Sequence, residues 1–104
     1  MAYGVDGEIY LVKKTATGRD ARGFPVYGEA RRLILAKVES APQSEFFQAG
    51  QVGIQSEYVF RINPAEYEGE RLAEYEGEQY RIYRRYQSAM DELELYAGKE
   101  LGSE

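Results

Sequence analysis

Cysteine, histidine and tryptophan are absent from this chain of 104 residues, and proline occurs only three times. Without cysteine there are no disulfides, no thiol nucleophile and no thiolate ligand for a metal, and nothing points to an oxidising compartment. Without histidine the chain lacks the usual general base at neutral pH, the usual zinc ligand and the common nucleophilic triads. No serine, Ser40, Ser44, Ser56 and Ser88 included, lies in a Gly-x-Ser-x-Gly elbow, so an enzyme built here would depend on carboxylates, lysine or tyrosine. No catalytic residue, cofactor site or metal site is predicted. The longest all-apolar run is Leu33 to Ala36, far too short to span a bilayer, and the start carries Asp6 and Glu8 rather than a basic, then apolar, leader. A soluble protein made in the cytoplasm, with no membrane partner, is expected.

What is present is a single-domain composition: 43% apolar, 30% charged and ten tyrosines among fourteen aromatics. The net charge of −5 is uneven. Residues 1 to 52 hold seven basic and six acidic side chains (+1), and residues 53 to 104 hold six basic and twelve acidic (−6). Binding through phosphate neutralisation needs clustered Lys and Arg, so this balance disfavours nucleic-acid capture.

The two-residue rhythm of half-buried strands dominates. Ile9 and Leu11 share a face in 8–14. Residues 15–28, with three glycines and a proline, read as a hairpin tip or long mobile loop. A second strand, 31–39, is apolar on both faces at its centre, as for a strand deep in a small barrel. Pro42 at the first turn and Gly50 as a stop mark the one helix, which is followed by an uncharged connector, 51–56. Tyr58, Phe60 and Ile62 align before Asn63-Pro64 ends their strand. Tyr80, Ile82 and Tyr86 share an inward face in 79–86, and Leu93, Leu95 and Ala97 align in 91–97, with 98–104 a frayed tail. The predicted fold is all-β: a small antiparallel barrel or sandwich of about six strands with one short helix and a long loop.

The pentapeptide Glu-Tyr-Glu-Gly-Glu occurs twice, from Glu66 and from Glu74. Six glutamates at 66, 68, 70, 74, 76 and 78 have the donor chemistry for a hard cation, but no Asp-x-Asp-x-Asp loop accompanies them. Two of them as glycosidase acid and nucleophile would need a cleft. The favoured reading is architectural. Gly69 and Gly77 supply turn positions, Tyr67 and Tyr75 anchor each turn to the barrel, and the acids keep an edge soluble. Arg31-Arg32 and Arg84-Arg85 are expected to pair with the surplus glutamates. Phe46 and Phe47, adjacent in so short a helix, cannot both face one core stripe, so one packs elsewhere.

The order of features resembles the head-closure, or head-tail adaptor (stopper), proteins of long-tailed bacteriophages. The resemblance covers residues 8 to 97. It rests on Ser44-Glu45-Phe46-Phe47-Gln48-Ala49 before the strand Glu57 to Ile62, on Gly77-Glu78-Gln79-Tyr80-Arg81-Ile82, and on the terminal Glu92-Leu93-Glu94-Leu95. The acidic 66–78 stretch and the missing tryptophan after the first loop depart from the family pattern. The resemblance implies a virion protein of the neck, a ring of identical subunits below the portal or adaptor protein that retains packaged DNA without sequence-specific binding and presents a surface to the tail or tail-terminator protein. On that basis Phe46, Phe47, Gln48, Gln51, Val52 and Ile54 are candidates for subunit or channel contacts. Arg19, Arg22, Phe24 and Tyr27 are candidates for loop contacts to neighbours, and Glu66, Glu68, Glu76 and Glu78 for an acidic lumen or rim that lets DNA slide. The alternative is an oligonucleotide-binding barrel stacking bases on Tyr80, Tyr83 and Tyr86.

Overall fold

The computed structural model describes residues 5–101. Six antiparallel strands, β1 (Val5–Arg19), β2 (Pro25–Ser40), β3 (Ile54–Ile62), β4 (Leu72–Tyr75), β5 (Glu78–Ala89) and β6 (Glu92–Glu100), form one sheet. It closes on itself in the order β1-β2-β3-β6-β5-β4, with β4 pairing back onto β1. Closure leaves the barrel proper without a free edge, which suits so small a core. Helix α1 (Ser44–Gln51) connects β2 to β3, and a single 3-10 turn (Pro64–Glu66) follows β3. That turn begins where the sequence predicts a break: Asn63 Oδ1 accepts from the Ala65 N–H at 2.9 Å.

The alternation rule accounts for the interior. Ile9, Leu11, Ile34, Val38, Phe60, Ile62, Ile82, Leu93 and Leu95 point inward from five strands, and Ala36, Ala73 and Ala97 fill the narrower positions. At one end Tyr58 meets Tyr75 and Tyr80 edge-on, with ring centroids 5.2 and 5.3 Å apart, and Phe60 lies beneath. Tyr67 and Tyr75 both pack against this core, as the anchor reading of the two repeats requires.

Residues 15–28 are ordered strand rather than a long loop. β1 and β2 pair from Val5↔Val38 out to Arg19↔Pro25, with one bulge between Ala16 and Gly18. Only the five residues Asp20 to Phe24 turn the chain. Asp20 Oδ1 accepts from the N–H groups of Arg22 (2.9 Å) and Phe24 (3.0 Å), and Gly23 takes the left-handed φ of 86°. Because β4 joins β1 only at Tyr10, Leu11 and Val12, and β3 joins β2 only at Lys37 to Ser40, the hairpin beyond these pairs is a bare two-stranded arm. No residue between Lys13 and Ala30 is buried. The arm explains the elongated shape, 55 × 32 × 23 Å. It also explains a radius of gyration of 15.0 Å, against roughly 13 Å for a compact chain of this length.

Four sequence expectations change. Leu33 and Leu35 do not lie in the core: they are 52% and 77% exposed on the outer face of β2, because only one face of this barrel wall is covered. Gly50 lies within α1, and the chain leaves the helix through Gly53, whose φ is 75°. Tyr86 faces outward, because a bulge between Ile82 and Arg84 inverts the alternation along β5. The tail reading gives way over 98–100, where β6 continues to Glu100 with Gly98 buried between β3 and β5.

Candidate functional site

Helix α1 has too few turns to stand alone and is held from below. Its inward residues, one turn apart, are Glu45 and Ala49, both buried. Burying a carboxylate requires partners. Arg84 Nη2 donates to Glu45 Oε2 at 2.5 Å and the Tyr83 hydroxyl donates to Oε1 at 2.9 Å. Ser56 Oγ lies 2.8 Å from the same hydroxyl. Burial pushes the Tyr83 hydroxyl up to about 12, so it remains a donor across the ordinary pH range. The network continues outward: the Arg84 guanidinium sits 4.0 Å over the Tyr96 ring, Tyr96 donates to Glu94, and Glu94 pairs with Arg61 at 3.3 Å.

With Glu45 and Ala49 turned down, Phe46 and Phe47 turn out. Both are exposed, at 53% and 76%, which goes beyond the expectation that one of them would lack a place in the core. Phe46 edges a shallow cleft of about 270 Å3 that also contains Leu101. Gln48, Gln51 and Val52 are exposed beside it. Ile54, the first residue of β3, is buried in the barrel wall and lines the same cleft.

At the tip of the arm Phe24 and Tyr27 are 62% and 65% exposed. Arg19 and Arg22 are exposed beside them, and Arg19 Nη1 also donates to the Gly23 carbonyl at 2.7 Å, closing the turn. Leu33 and Leu35 add a second apolar strip along β2. Their strict alternation with buried Ile34 and Ala36 was the available signal.

The acidic repeat resolves into two separate structures. In the first copy Arg32 gathers the glutamates: Glu70 lies 2.7 Å from its guanidinium, and Glu66 and Glu68 each 3.9 Å. Glu70 is buried and also accepts the Glu68 N–H at 2.8 Å, while Tyr67 donates to the Glu70 carbonyl at 2.7 Å. In the second copy Glu76 and Gly77 both take positive φ, 52° and 83°, forming the two-residue hairpin turn between β4 and β5. Glu74 pairs with Arg31 and Glu78 with Lys99. Of the four residues expected to form an acidic rim, Glu66, Glu68 and Glu78 thus have basic partners and Glu76 sits exposed at the turn. Among the described residues no group of acidic side chains converges so as to hold a metal ion.

Burial raises the Glu70 carboxyl, but the bond from Arg32 and the backbone N–H bonds outweigh it, and its pKa lies below the ordinary value. A depressed folded-state pKa gives stability that is present above the unfolded pKa and is lost as pH falls through the folded one. Glu70→Gln should therefore be less stable than the parent at about pH 7, and the gap should narrow at acid pH, below the ordinary carboxylate range, read as urea midpoints. A gap of equal size at both pH values would show that the carboxylate's charge is not what holds this turn.

The tyrosines of the base-stacking alternative are largely committed elsewhere. Tyr80 is 5% exposed in the core, and the Tyr83 hydroxyl is bonded to Glu45 and Ser56. Tyr86 alone is open, 56% exposed. A cleft of about 570 Å3 at the β1–β2–β3 side mixes Asp6, Glu8, Asp91 and Glu92 with Lys37 and Arg61, which already pair with carboxylates. Among the described residues no helix is long and apolar enough to cross a membrane. No family model matches the chain, and no curated protein matches it.

Proposed function

We propose that this protein is a structural subunit of the connector between a bacteriophage head and its tail. It forms a ring with copies of itself below the portal or adaptor protein, closes the DNA channel after packaging, and joins the tail or its terminator. Its work is assembly rather than catalysis, and its place is the neck of the virion.

The observation that carries this reading is where the apolar side chains lie outside the barrel. Phe46 and Phe47 on α1, Leu33 and Leu35 on β2, and Phe24 and Tyr27 on the arm are all more than half exposed. Exposed apolar side chains grouped in pairs on three elements fit contact surfaces. Aromatic anchors of this type carry most of the binding energy in protein interfaces. The geometry favours head-to-tail contact. The arm tip and α1 lie at opposite ends of β2, whose 16 residues span roughly 50 Å at the usual rise. Two different surfaces at opposite ends of one strand can engage each other between successive copies, and such heterologous contacts close into a ring when the rotation permits. A short core supplemented by neighbours also fits a chain of this size.

The test is the mass of the protein in solution, alone and with portal-adaptor complexes, for the parent and for Phe46→Ser/Phe47→Ser. Both side chains are exposed, so the double variant should keep its fold within about 0.5 kcal/mol. It should lose ring incorporation, since an interface aromatic is worth roughly 2 kcal/mol or more, about thirtyfold in affinity. Unchanged incorporation by the variant would remove α1 from the contact. A parent that ignores portal-adaptor complexes would remove the reading itself.

A further inference from the structure

The acidic net charge conceals a basic face. Strand register creates it: Val12 of β1 pairs with Leu72 of β4, and Leu72 pairs with Arg81 of β5. Three basic stretches far apart in sequence, Lys13-Lys14, Arg71 and Arg81 with Arg84-Arg85, are thereby brought side by side. They line two adjoining grooves of about 490 and 440 Å3, which share Gly69, Glu70, Arg71 and Arg81. The one acidic side chain in either lining is Glu70, and it is already bound to Arg32.

Pairing within the chain removes some of this charge but not most of it. Arg84 is held by Glu45, and Arg81 pairs with Glu100 at 3.1 Å. Lys13, Lys14, Arg71 and Arg85 form no ion pair among the described residues, and all four are exposed. The surplus glutamates of the chain are spent on Arg31, Arg32 and Arg61 instead. Arg85 is held over the groove, its guanidinium 5.5 Å above the Tyr67 ring and 3.4 Å from the Tyr67 hydroxyl.

We propose that these grooves bind a nucleic-acid strand through its phosphates, independently of base sequence and independently of the ring contacts above. The reasoning is local: phosphate affinity follows the charge within a Debye length, not the net charge of the chain. Arginine's planar fork matches phosphate oxygens in pairs, and among the described residues no carboxylate pairs with Arg71 or Arg85. An acidic protein segment fits less well. Protein interfaces are poor in lysine, whereas Lys13 and Lys14 line one of these grooves, exposed, beside Arg71.

Fluorescence anisotropy with labelled oligonucleotides of about 20 nucleotides, single-stranded and duplex, starting near 50 mM salt, tests this. Four phosphate contacts predict a log-log salt slope of about −3 on single strands and a little steeper on duplex, which also shows which form is preferred. Lys14→Glu/Arg71→Glu should weaken binding at least about tenfold, as loss and reversal of two phosphate contacts requires. Lys37→Glu, which changes net charge in the same direction but lies outside both grooves, should weaken it far less. Circular dichroism of each variant confirms the fold. No binding by the folded parent near 50 mM salt would overturn the proposal. So would equal loss in Lys37→Glu, or displacement of the strand by polyglutamate at matched charge, which would reassign the grooves to an acidic protein partner.

Discussion

Gly98→Ala should unfold the domain at much lower temperature, although it adds a single methyl group. Gly98 is buried in β6, paired with Ser56 of β3 on one side and Arg81 of β5 on the other. A Cβ at this position would lie 2.0 Å from the Gln55 carbonyl oxygen, and 2.8 Å from both the Gln55 carbonyl carbon and Ile54 Cγ2. The obstacle is backbone, so no rotamer change relieves it. It arises where the β3–β6 register shifts between Ser56 and Tyr58, a bulge that tips the Gln55 carbonyl toward Gly98. To accept alanine, β3 and β6 must separate, weakening the pairs Ile54↔Glu100 and Gln55↔Lys99. Overpacking together with two or three weakened ladder bonds amounts to about 3 kcal/mol or more. For a domain of this size that lowers Tm by roughly 12–24 °C. Gly50→Ala is the matched control. That glycine sits in α1 with nothing within 4 Å of the added atom, so alanine should be neutral or stabilising by about 0.5–1 kcal/mol. Equal Tm values for the Gly98 and Gly50 variants would mean that β3 and β6 yield here at little cost.

Much of the barrel was legible in the sequence because its physics is local. Alternation placed Phe60 and Ile62, then Leu93, Leu95 and Ala97, on the inner face, and Gly69 and Gly77 marked the turns of the repeat. The exceptions each depend on something remote from the residue in question. A bulge between Ile82 and Arg84 decides that Tyr86 faces out, and nothing in the composition of 79–86 announces it. Leu33 and Leu35 read as core by hydropathy. They lie outside because neither helix nor loop covers that part of β2, a property of the whole topology. Glu45 stands in the sequence as a plain charged neighbour of Phe46 and Phe47, yet it is the residue that fixes the helix, through an arginine 39 positions away. The basic face was hidden for the same reason. Summing charge by halves of the chain gives −6 for residues 53 to 104, while strand pairing sorts Arg71 and Arg85 away from the glutamates that offset them in the sum.

Glu45→Ala carries the second large effect, and it reaches the proposed contacts. The carboxylate is 5% exposed and meets Arg84 in a two-point contact, Nη2 at 2.5 Å and Nε at 3.4 Å, while accepting from Tyr83. Removing one member of a buried pair costs about 3–5 kcal/mol when the other is left without water. Arg84 is one-third exposed and stacked on Tyr96, so it rehydrates in part. The expected loss is therefore about 2–3 kcal/mol. Glu45→Gln keeps an acceptor for Tyr83 and should lose less. Glu45→Met/Arg84→Met, which removes both charges and fills the space, should recover much of the stability, as replacement of buried pairs by apolar residues often does. The same series reads out the helix. Because Glu45 and Ala49 are the only buried residues of α1, losing the carboxylate loosens the platform that presents Phe46 and Phe47. Ring incorporation should then fall in Glu45→Ala even at temperatures where the barrel is fully folded, and return in the double-methionine variant. Stability lost without any loss of incorporation would separate the two roles and place the contact on the arm and the Leu33–Leu35 strip instead.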